Sequence, residues 1–207
     1  MAERWVEDES EPDTFYGLFK SLKEDLFVGR CRYEFIETFL RSIPGNTGKY
    51  LRYIILKRFF KSIGKNVVIC PGVRFRYPSR IEIGDNVSIS FGCIFQGGGG
   101  ISIGDNTLFG PGVKAWSMNH MFKQLDRTIN AQGFEGRPVV IGSDCWIGSN
   151  TFIKPGSFIP NGTVIFPCSV VSRIKIPEYS VLTGNPAKVV GPRNRIGAFM
   201  GWRIDEK

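Results

Sequence analysis

The sequence is poor in the residues that build disulfide frameworks and metal sites, with five cysteines and a single histidine among 207 residues. An odd number of cysteines without a CxxC pair argues against a disulfide framework and against a structural zinc site. We therefore predict no metal site and interpret all five cysteines as small, buried hydrophobic residues. They are Cys31, Cys70, Cys93, Cys145 and Cys168.

Long hydrophobic runs are also missing. No stretch approaches the roughly 20 apolar residues that cross a bilayer, and the N-terminus has neither the basic patch nor the apolar core of a secretory signal. Residues 1–13 are instead rich in Asp and Glu. We expect these residues to form a solvated acidic tail and the protein to be cytoplasmic.

The overall composition is that of a globular protein with a positive charge. The chain is 42% hydrophobic and 13% aromatic, and its 25 glycines follow no strict triplet period, which excludes a disordered polymer and a collagen. Lys and Arg number 27 against 19 Asp and Glu, a net charge of +8. This charge favours an anionic partner, but nucleic acid, a membrane surface and a phosphorylated small molecule all fit it.

The first third of the chain has the apolar spacing of helices. We predict one or two amphipathic helices within residues 15–40, a break through Pro44, Gly45, Asn46 and Gly48, and a basic amphipathic helix over residues 49–61. The apolar side of this last helix is expected to pack on the domain that follows. Contact of residues 49–61 with acidic lipids is the alternative.

An internal repeat begins at Ile63. An aliphatic residue, Gly, two variable residues and a small residue recur at Ile63, Ile83, Ile103 and Ile141. Apolar residues then recur at every sixth position, a period that matches neither a 3.6-residue helix nor a simple hairpin sheet. They are Ile83, Ile89, Phe95, Ile103, Phe109, Ala115, Ile141, Ile147, Ile153, Ile159, Ile165 and Val171. A triangular coil of three short strands explains this period, and stacked coils would bury one aliphatic column.

The spacing of the repeats predicts where the regular coils are interrupted. Ile63, Ile83 and Ile103 are 20 residues apart, which we interpret as one 18-residue coil plus a two-residue bulge. The 38 residues from Ile103 to Ile141 indicate a long loop, near 121–138, extruded from the prism. The predicted organisation is an acidic tail with a helical cap over 1–62, a prism over 63–191 and a tail over 192–207.

Three segments carry a resemblance to a known family. They are Ser-Met-Asn-His at 117–120, Asp-Cys-Trp-Ile-Gly-Ser-Asn-Thr-Phe-Ile-Lys-Pro-Gly at 144–156, and Ile-Pro-Glu-Tyr-Ser-Val-Leu-Thr-Gly-Asn-Pro-Ala-Lys at 176–188. Residues 63–191 resemble the hexapeptide-repeat acyltransferases, and most of all the O-acetyltransferases of galactosides, maltose and surface polysaccharides. The resemblance implies a mainly β fold, a left-handed parallel β-helix of about six coils with a helical N-terminal extension. The left hand is implied by the resemblance alone, since crossovers between parallel strands are usually right-handed.

The resemblance also implies an activity: transfer of acetyl from acetyl-CoA to a hydroxyl of a sugar or surface-polysaccharide precursor. Such enzymes are homotrimers with active sites between subunits. Their acceptors are sugars, so nucleic acid is not an expected partner. A peripheral place at the inner membrane face stays open. The γ-type carbonic anhydrases share the fold but need three zinc-binding histidines, which this chain lacks. N-acetylation of a nucleotide-linked amino sugar, or a non-catalytic assembly or membrane-docking module, remain as alternatives.

His120 is the candidate general base, because it is the only histidine and acetyl transfer to a hydroxyl needs a base at neutral pH. A surface histidine beside a loop is the alternative interpretation, and Asn119 either orients it or serves as a turn residue. By resemblance, coenzyme A contacts fall at Trp146, Ser149, Ser172, Arg173 and Lys188. Ser90, Gln96 and Asn119 are the candidate acceptor-binding residues. By resemblance, Ser90 and Gln96 stand near positions where the family has an acceptor-binding Asn and Asp, so the acceptor differs or is bound differently.

Overall fold

Three helices precede the repeats. A computed structural model describes residues 15–195, so the acidic tail at 1–13 and residues 196–207 of the predicted C-terminal tail lie outside the described residues. The helices are α1 (Phe15–Phe27), α2 (Gly29–Arg41) and α3 (Gly45–Leu56), and a 3₁₀ turn (Lys57–Phe59) follows α3. The prediction of one or two helices within 15–40 is confirmed, with two.

The predicted bounds of the third helix were wrong, because α3 begins at Gly45 rather than at residue 49. Pro44 precedes the first helical residue, and its carbonyl accepts a hydrogen bond from the Gly48 N–H at 3.2 Å. Gly48 is a point of close approach rather than a helix breaker, since a Cβ there would collide with the backbone carbonyl of Ile43. The helix gives way to the 3₁₀ turn after Leu56, and Phe60 is extended.

The chain then winds into coils of three short strands each. The first coil contains β1 (Ser62–Ile63), β2 (Val68–Ile69) and β3 (Arg74–Arg76). The second contains β4 (Ile81–Ile83), β5 (Ser88–Ile89) and β6 (Ile94–Gln96). The third contains β7 (Ile101–Ile103), β8 (Leu108–Phe109) and β9 (Lys114–Trp116).

After the third coil the chain leaves the prism and later resumes it. The excursion contains β10 (Met118–His120), α4 (Ile129–Gln132) and β11 (Phe134–Gly136). The fourth coil contains β12 (Val139–Ile141), β13 (Trp146–Ile147) and β14 (Phe152–Ile153), and the fifth β15 (Phe158–Ile159), β16 (Val164–Ile165) and β17 (Val170–Val171). A strand of a sixth coil, β18 (Ser180–Gly184), forms an antiparallel hairpin with β19 (Ala187–Pro192).

Equivalent strands of successive coils pair in parallel and form the three faces of a prism. Face 1 contains β1, β4, β7, β12 and β15; face 2 contains β2, β5, β8, β13, β16 and β18; face 3 contains β3, β6, β9, β14 and β17. The corner from face 3 back to face 1, called here the third corner, is formed by residues 77–80 in the first coil and 97–100 in the second. In the third coil this corner expands into the excursion at 117–138. The predicted prism with one extruded loop is confirmed.

The strand register confirms the repeat spacing and locates the extra residues of the 20-residue coils. Ile63 lies opposite Ile83, Ile83 opposite Ile103, and Ile103 opposite Ile141. The apolar residues predicted at every sixth position are all buried. The two extra residues of each 20-residue coil lie at the third corner, as the predicted two-residue bulge requires: five residues, 76–80, separate the buried Phe75 from the buried Ile81, whereas three, 154–156, separate Ile153 from the buried Ser157.

A ladder of asparagines stacks along the corner between face 1 and face 2. Asn66, Asn86 and Asn106 each have a left-handed backbone with φ of 55–56°, which Asn tolerates better than most residues. The Nδ2 of Asn66 donates to Oδ1 of Asn86, and the Nδ2 of Asn86 donates to Oδ1 of Asn106, both at 3.1 Å. The ladder holds the first three coils in the same register.

The cysteines are partly as predicted. Cys70, Cys93 and Cys145 are buried, and burial raises the pKa of the Cys93 thiol to about 11, so this thiol stays protonated. The prediction was wrong for Cys168, which is exposed, and for Cys31, which is half-buried. Cys168 occupies a tight left-handed turn with φ of 60°, a position that faces solvent rather than the core.

The helices close the first end of the prism. Leu56 and Phe60 are buried against the first coil, as the sequence predicted for the apolar side of this segment. The buried guanidinium of Arg52 donates from Nε to the Ile69 carbonyl at 2.8 Å and from Nη1 to the carbonyls of Leu40 and Ile43 at 2.9 and 2.8 Å. Arg52 thereby ties α2 and α3 to β2.

Contact of residues 49–61 with a membrane stays a prediction, and it would now depend on the exposed Lys57, Arg58 and Lys61 rather than on the apolar side. None of the helices within residues 15–195 is long and apolar enough to span a bilayer.

Candidate active site

His120 ends the first strand of the hairpin that projects from the third corner. It is exposed on β10 and lies opposite Phe134 of β11. The two rings pack with centroids 4.2 Å apart and planes 42° apart, which fixes one side of the imidazole against an apolar surface. Among the described residues, no side-chain hydrogen bond holds either ring nitrogen. The ring therefore presents its nitrogens to a ligand or to a neighbouring molecule.

The base of this hairpin is tied to the coil beneath it. The buried Ser117 hydroxyl donates to the Gln96 carbonyl at 2.7 Å and accepts from the Gly99 N–H at 2.9 Å. The Ser117 carbonyl accepts from Arg137 N–H at 2.7 Å, where the returning strand meets the first. A Cβ on Gly99 would collide with this same carbonyl. The glycines of residues 97–100 thus let the hairpin sit close to the second coil.

The structure places Gln96 near the histidine hairpin and Ser90 away from it. Gln96 is buried at the end of face 3, and its side-chain Oε1 has no hydrogen-bond partner within residues 15–195. The Gln96 backbone lies directly under Ser117, and Ser117 precedes His120 by three residues in the chain. Ser90 is half-buried at the end of a face 2 strand, on the corner that leads to face 3. Within one chain these two predicted acceptor residues therefore do not share a site.

Asn119 is exposed and pairs with Glu135 across the hairpin. Because side chains alternate along a strand, Asn119 projects from the opposite side of the two-stranded sheet to His120. A role in orienting the imidazole of the same chain has no geometric support. Its contact with an acceptor stays a prediction.

The predicted coenzyme A residues fall on two parts of the prism. Ser172 and Arg173 follow β17 at the third corner, the same corner as the histidine hairpin, and Arg173 is exposed. Trp146 lies on face 2 with 41% of its surface exposed, and Ser149 lies at the corner beyond it. Lys188 is exposed on β19, which extends face 2. One chain does not bring these two groups together.

The outer surface of face 2 is apolar where the predicted ligand residues lie. Leu108 and Trp146 are neighbours in register, followed by Val164, and Leu108 is 50% exposed. The equivalent outer positions of face 1 are more polar and include Glu82, which pairs with Lys61 and accepts from Ser102. Face 2 therefore offers the more favourable surface for an apolar ligand or a second subunit.

Two further features concern charge. Arg193, five residues after Lys188, pairs with Asp144 at 2.8 Å and also donates to the Gly162 carbonyl at 3.2 Å. In the described part of the chain, no three His, Cys, Asp or Glu side chains are grouped so as to hold a metal ion.

Two residues of this region were given no role by the sequence analysis. Phe134 contacts the histidine from the far end of the loop, and Ser117 anchors the hairpin through its hydroxyl. Neither belongs to a six-residue repeat, so periodicity gave no signal for them. The signal that existed was their position within residues 117–138, the segment that interrupts the repeat.

Comparisons with known proteins agree with this geometry. No protein-family model matches the chain. It is 34% identical over 142 residues to WcaF of Escherichia coli K12, named as an acetyltransferase of colanic acid biosynthesis, covering 69% of this chain and 75% of that protein. It is 32% identical to the galactoside O-acetyltransferase of the same organism, covering 84% of this chain and 83% of that one. A solved galactoside acetyltransferase in complex with coenzyme A superposes with a TM-score of 0.73 at 29% identity, covering 84% and 86% of the two chains.

The fold is the left-handed parallel β-helix that solved hexapeptide-repeat acetyltransferases share, and the hairpin with its histidine projects from it. The chain belongs to the hexapeptide-repeat acyltransferases and, within them, to the sugar O-acetyltransferase type. It is an acetyltransferase.

Proposed function

We propose that this protein transfers the acetyl group of acetyl-CoA to a hydroxyl of a sugar or surface-polysaccharide precursor, with His120 as the general base. The observation that supports this most is the position of His120, the only histidine in the chain, exposed on a hairpin anchored by Ser117 and backed by Phe134. Histidine is the side chain that most often takes a proton from a reacting hydroxyl as a general base.

The proposed reaction is a direct transfer. His120 takes the proton of the acceptor hydroxyl as its oxygen attacks the thioester carbonyl carbon, and a tetrahedral intermediate forms. The C–S bond then breaks, and the thiolate of coenzyme A leaves with the proton that His120 returns. No covalent enzyme intermediate is needed, and Cys93 and Cys145 are poor nucleophiles because burial raises the pKa of both thiols.

The donor site is proposed to lie between two subunits of a homotrimer. Arg173 shares the third corner with His120, whereas Trp146, Ser149 and Lys188 lie on or beside face 2. A trimer that sets the third corner of one subunit beside face 2 of the next would bring both groups to one groove. The apolar outer surface of Leu108 and Trp146 suits the long arm of coenzyme A, and the cations suit its phosphates.

Replacement of His120 by Ala tests the mechanism. We expect turnover to fall about 10²–10⁴-fold, the usual contribution of a general base, while coenzyme A binding and native mass stay unchanged. Coenzyme release, followed with a thiol reagent, measures turnover against a panel of neutral sugars, sugar phosphates, nucleotide sugars and oligosaccharides.

The matched control is Lys123→Ala, an exposed position of the same loop, which should keep turnover. Unchanged turnover in His120→Ala would overturn the proposed mechanism. A product that resists mild alkaline hydrolysis would be an amide rather than an ester, and would replace O-acetylation by N-acetylation.

A further inference from the structure

A cavity of about 290 Å³ opens between the helical cap and the third corner of the first coil. Gly29, Tyr33 and Glu34 of α2 line one side of it, Phe59 closes another, and residues 76–80 form the floor. None of these residues belongs to the histidine hairpin or to the predicted coenzyme A residues. The proposed reaction therefore assigns no role to this cavity.

Tyr33 brings an unpartnered polar group to this cavity. Only 4% of the residue is exposed, and its hydroxyl has no hydrogen-bond partner anywhere in residues 15–195. Its ring is fixed by an edge-to-face contact with Phe59, with centroids 5.1 Å apart. Burial raises the pKa of Tyr33 well above its ordinary value, so the hydroxyl remains protonated and able to donate. A buried hydroxyl left without a partner is costly unless a ligand completes it.

The lining of the cavity carries more cationic than anionic side chains, and the carboxylates of Glu37 and Glu34 near the Tyr33 hydroxyl help to keep it protonated by raising its pKa. Arg76 and Arg80 line the cavity against one carboxylate, Glu34, and Arg80 lies over the Tyr77 ring, 5.8 Å from its centroid. One N–H of Arg80 donates to the Gly98 carbonyl at 2.6 Å, which fixes the guanidinium and leaves its other donors for a ligand. Gly29 begins α2, a helix of 13 residues whose first turn no described side chain caps, so the positive end of its dipole faces the same cavity.

The cavity and His120 lie on one edge of the prism. Arg80 reaches the Gly98 carbonyl of the second coil, and a Cβ on Gly98 would collide with Met118, two residues from His120 in the hairpin. The cavity belongs to the first coil and the base of the hairpin, at Ser117 and Met118, to the third, so two coil steps of ~4.8 Å, about 10 Å in all, separate them along the prism axis. This distance is comparable to the length of a disaccharide or a sugar phosphate.

We propose that this cavity binds an oxyanion, the phosphate or carboxylate of an acidic acceptor, through Tyr33, Arg76, Arg80 and the N-terminus of α2, and so positions a hydroxyl of the same acceptor at His120. The role in acceptor binding rests on the proposed function. The anion site itself does not. An anionic acceptor is the expected substrate class of this enzyme.

Anion binding can be measured without turnover. Titration calorimetry of the full chain with inorganic phosphate and with a hexose 6-phosphate should give binding that Tyr33→Phe weakens about tenfold, the value of one charge-assisted hydrogen bond. Arg76→Gln should weaken binding at least as much. The Tyr33→Phe change removes an unpartnered hydroxyl, so the thermal midpoint should not fall.

Two controls separate the anion site from the chemistry. Lys65→Gln removes one positive charge at an exposed position on a different corner and should leave phosphate affinity unchanged. His120→Ala should bind phosphate as the wild type does. If the wild type binds no phosphate, or if Tyr33→Phe and Arg76→Gln bind it as well as the wild type, the anion site is overturned.

Kinetics then test the link to the acceptor and distinguish the two oxyanions. With a neutral sugar, a hexuronate and a sugar phosphate as acceptors, Tyr33→Phe should raise the ratio of charged-acceptor KM to neutral-acceptor KM about tenfold. The acceptor whose KM changes identifies carboxylate or phosphate. If the KM ratio is unchanged although Tyr33→Phe no longer binds phosphate in the calorimeter, the role in acceptor binding is overturned. If the wild type transfers acetyl to none of these acceptors, the proposed function is overturned instead.

Discussion

Glu37 is the buried carboxylate of α2 and makes a pH-dependent contribution to stability. It is 4% exposed, its Oε2 lies 3.8 Å from Arg41, and its Oε1 has no partner in the described residues. Burial raises the pKa of this carboxyl above its ordinary value of 4.5, an effect that Arg41 and Arg74 only partly offset. The folded protein therefore holds the proton more tightly than the unfolded chain does.

This sets the sign of the effect. The contribution is favourable below pH 4.5, where Glu37 is protonated in both states, and is lost as the pH rises through the raised pKa. Glu37→Gln, which cannot ionise, should be more stable than the wild type at neutral pH, and the difference should shrink as the pH falls towards 4.5. Urea unfolding at a series of pH values measures it, with the exposed Glu178→Gln as control. A difference that grows towards acid pH would contradict this assignment.

Among single residues, the sequence predicted the repeated apolar residues and the single histidine, and it gave no signal for isolated buried residues of the helices. The aliphatic column follows from a six-residue period because each such residue meets its equivalent in the next coil. His120 was predictable because no other histidine competes with it. Tyr33, Glu37 and Arg52 gave no such signal, since their burial depends on how the helices dock on the first coil, and a tertiary contact of this kind leaves no period in the sequence.

Among the elements, the helical cap depends on Arg52 more than on any other polar residue that its contacts reveal. Its guanidinium serves three backbone carbonyls from α2, the α2–α3 turn and β2. Arg52→Met keeps much of the length and apolar volume but removes the donors of the Ile43 and Ile69 carbonyls, whereas the Leu40 carbonyl keeps a backbone N–H donor from Ile43 at 3.3 Å. We expect a loss of about 3–5 kcal/mol in the free energy of unfolding of the cap, from unsatisfied buried acceptors at ~1–3 kcal/mol each that do not add fully.

Hydrogen exchange measures where the loss falls. Amides of α2 and α3 should exchange faster in Arg52→Met, while those of the fourth and fifth coils keep their protection, because the coils contact only their neighbours. Arg58→Met, at an exposed position two residues beyond α3, is the matched control. Equal loss of protection through all coils would mean that cap and prism unfold as one unit.

Element boundaries show the same limits of sequence reasoning. The strands were predicted from the period, yet the start of α3 was misplaced because Gly48 was read as a breaker, and only the approach of the Ile43 carbonyl explains a glycine there. The two-residue bulge was predicted from the 20-residue spacing, but the spacing alone did not say which corner holds it. The structure places the extra residues at the third corner, between Phe75 and Ile81.

For the whole molecule, the proposed trimer makes face 2 the surface to test. Leu108→Glu introduces a charge beside Trp146 at the centre of this surface, and it should convert a species of three 23.2 kDa chains into monomers. Acetyl transfer should fall with it, since the proposed site needs two subunits. Light scattering after size exclusion measures the mass.

Phe158→Glu is the control, because Phe158 is also an exposed apolar residue but lies on face 1. This variant should remain a trimer. A monomeric Phe158→Glu with a trimeric Leu108→Glu would place the interface on face 1 and would separate Trp146 from any neighbouring histidine.

Because the first three coils share one register, the number of coils sets the distance between sites along this part of the prism. Because the asparagine ladder and the 20-residue offset repeat without change from Ile63 to Ile103, one complete unit could be duplicated or deleted here in phase. Each duplication or deletion would change the distance between the proposed anion cavity and the coil that carries the histidine hairpin by one coil step of ~4.8 Å. The number of coils between the cavity and the hairpin would then determine which acceptor length fits, with no change to the residues of either site.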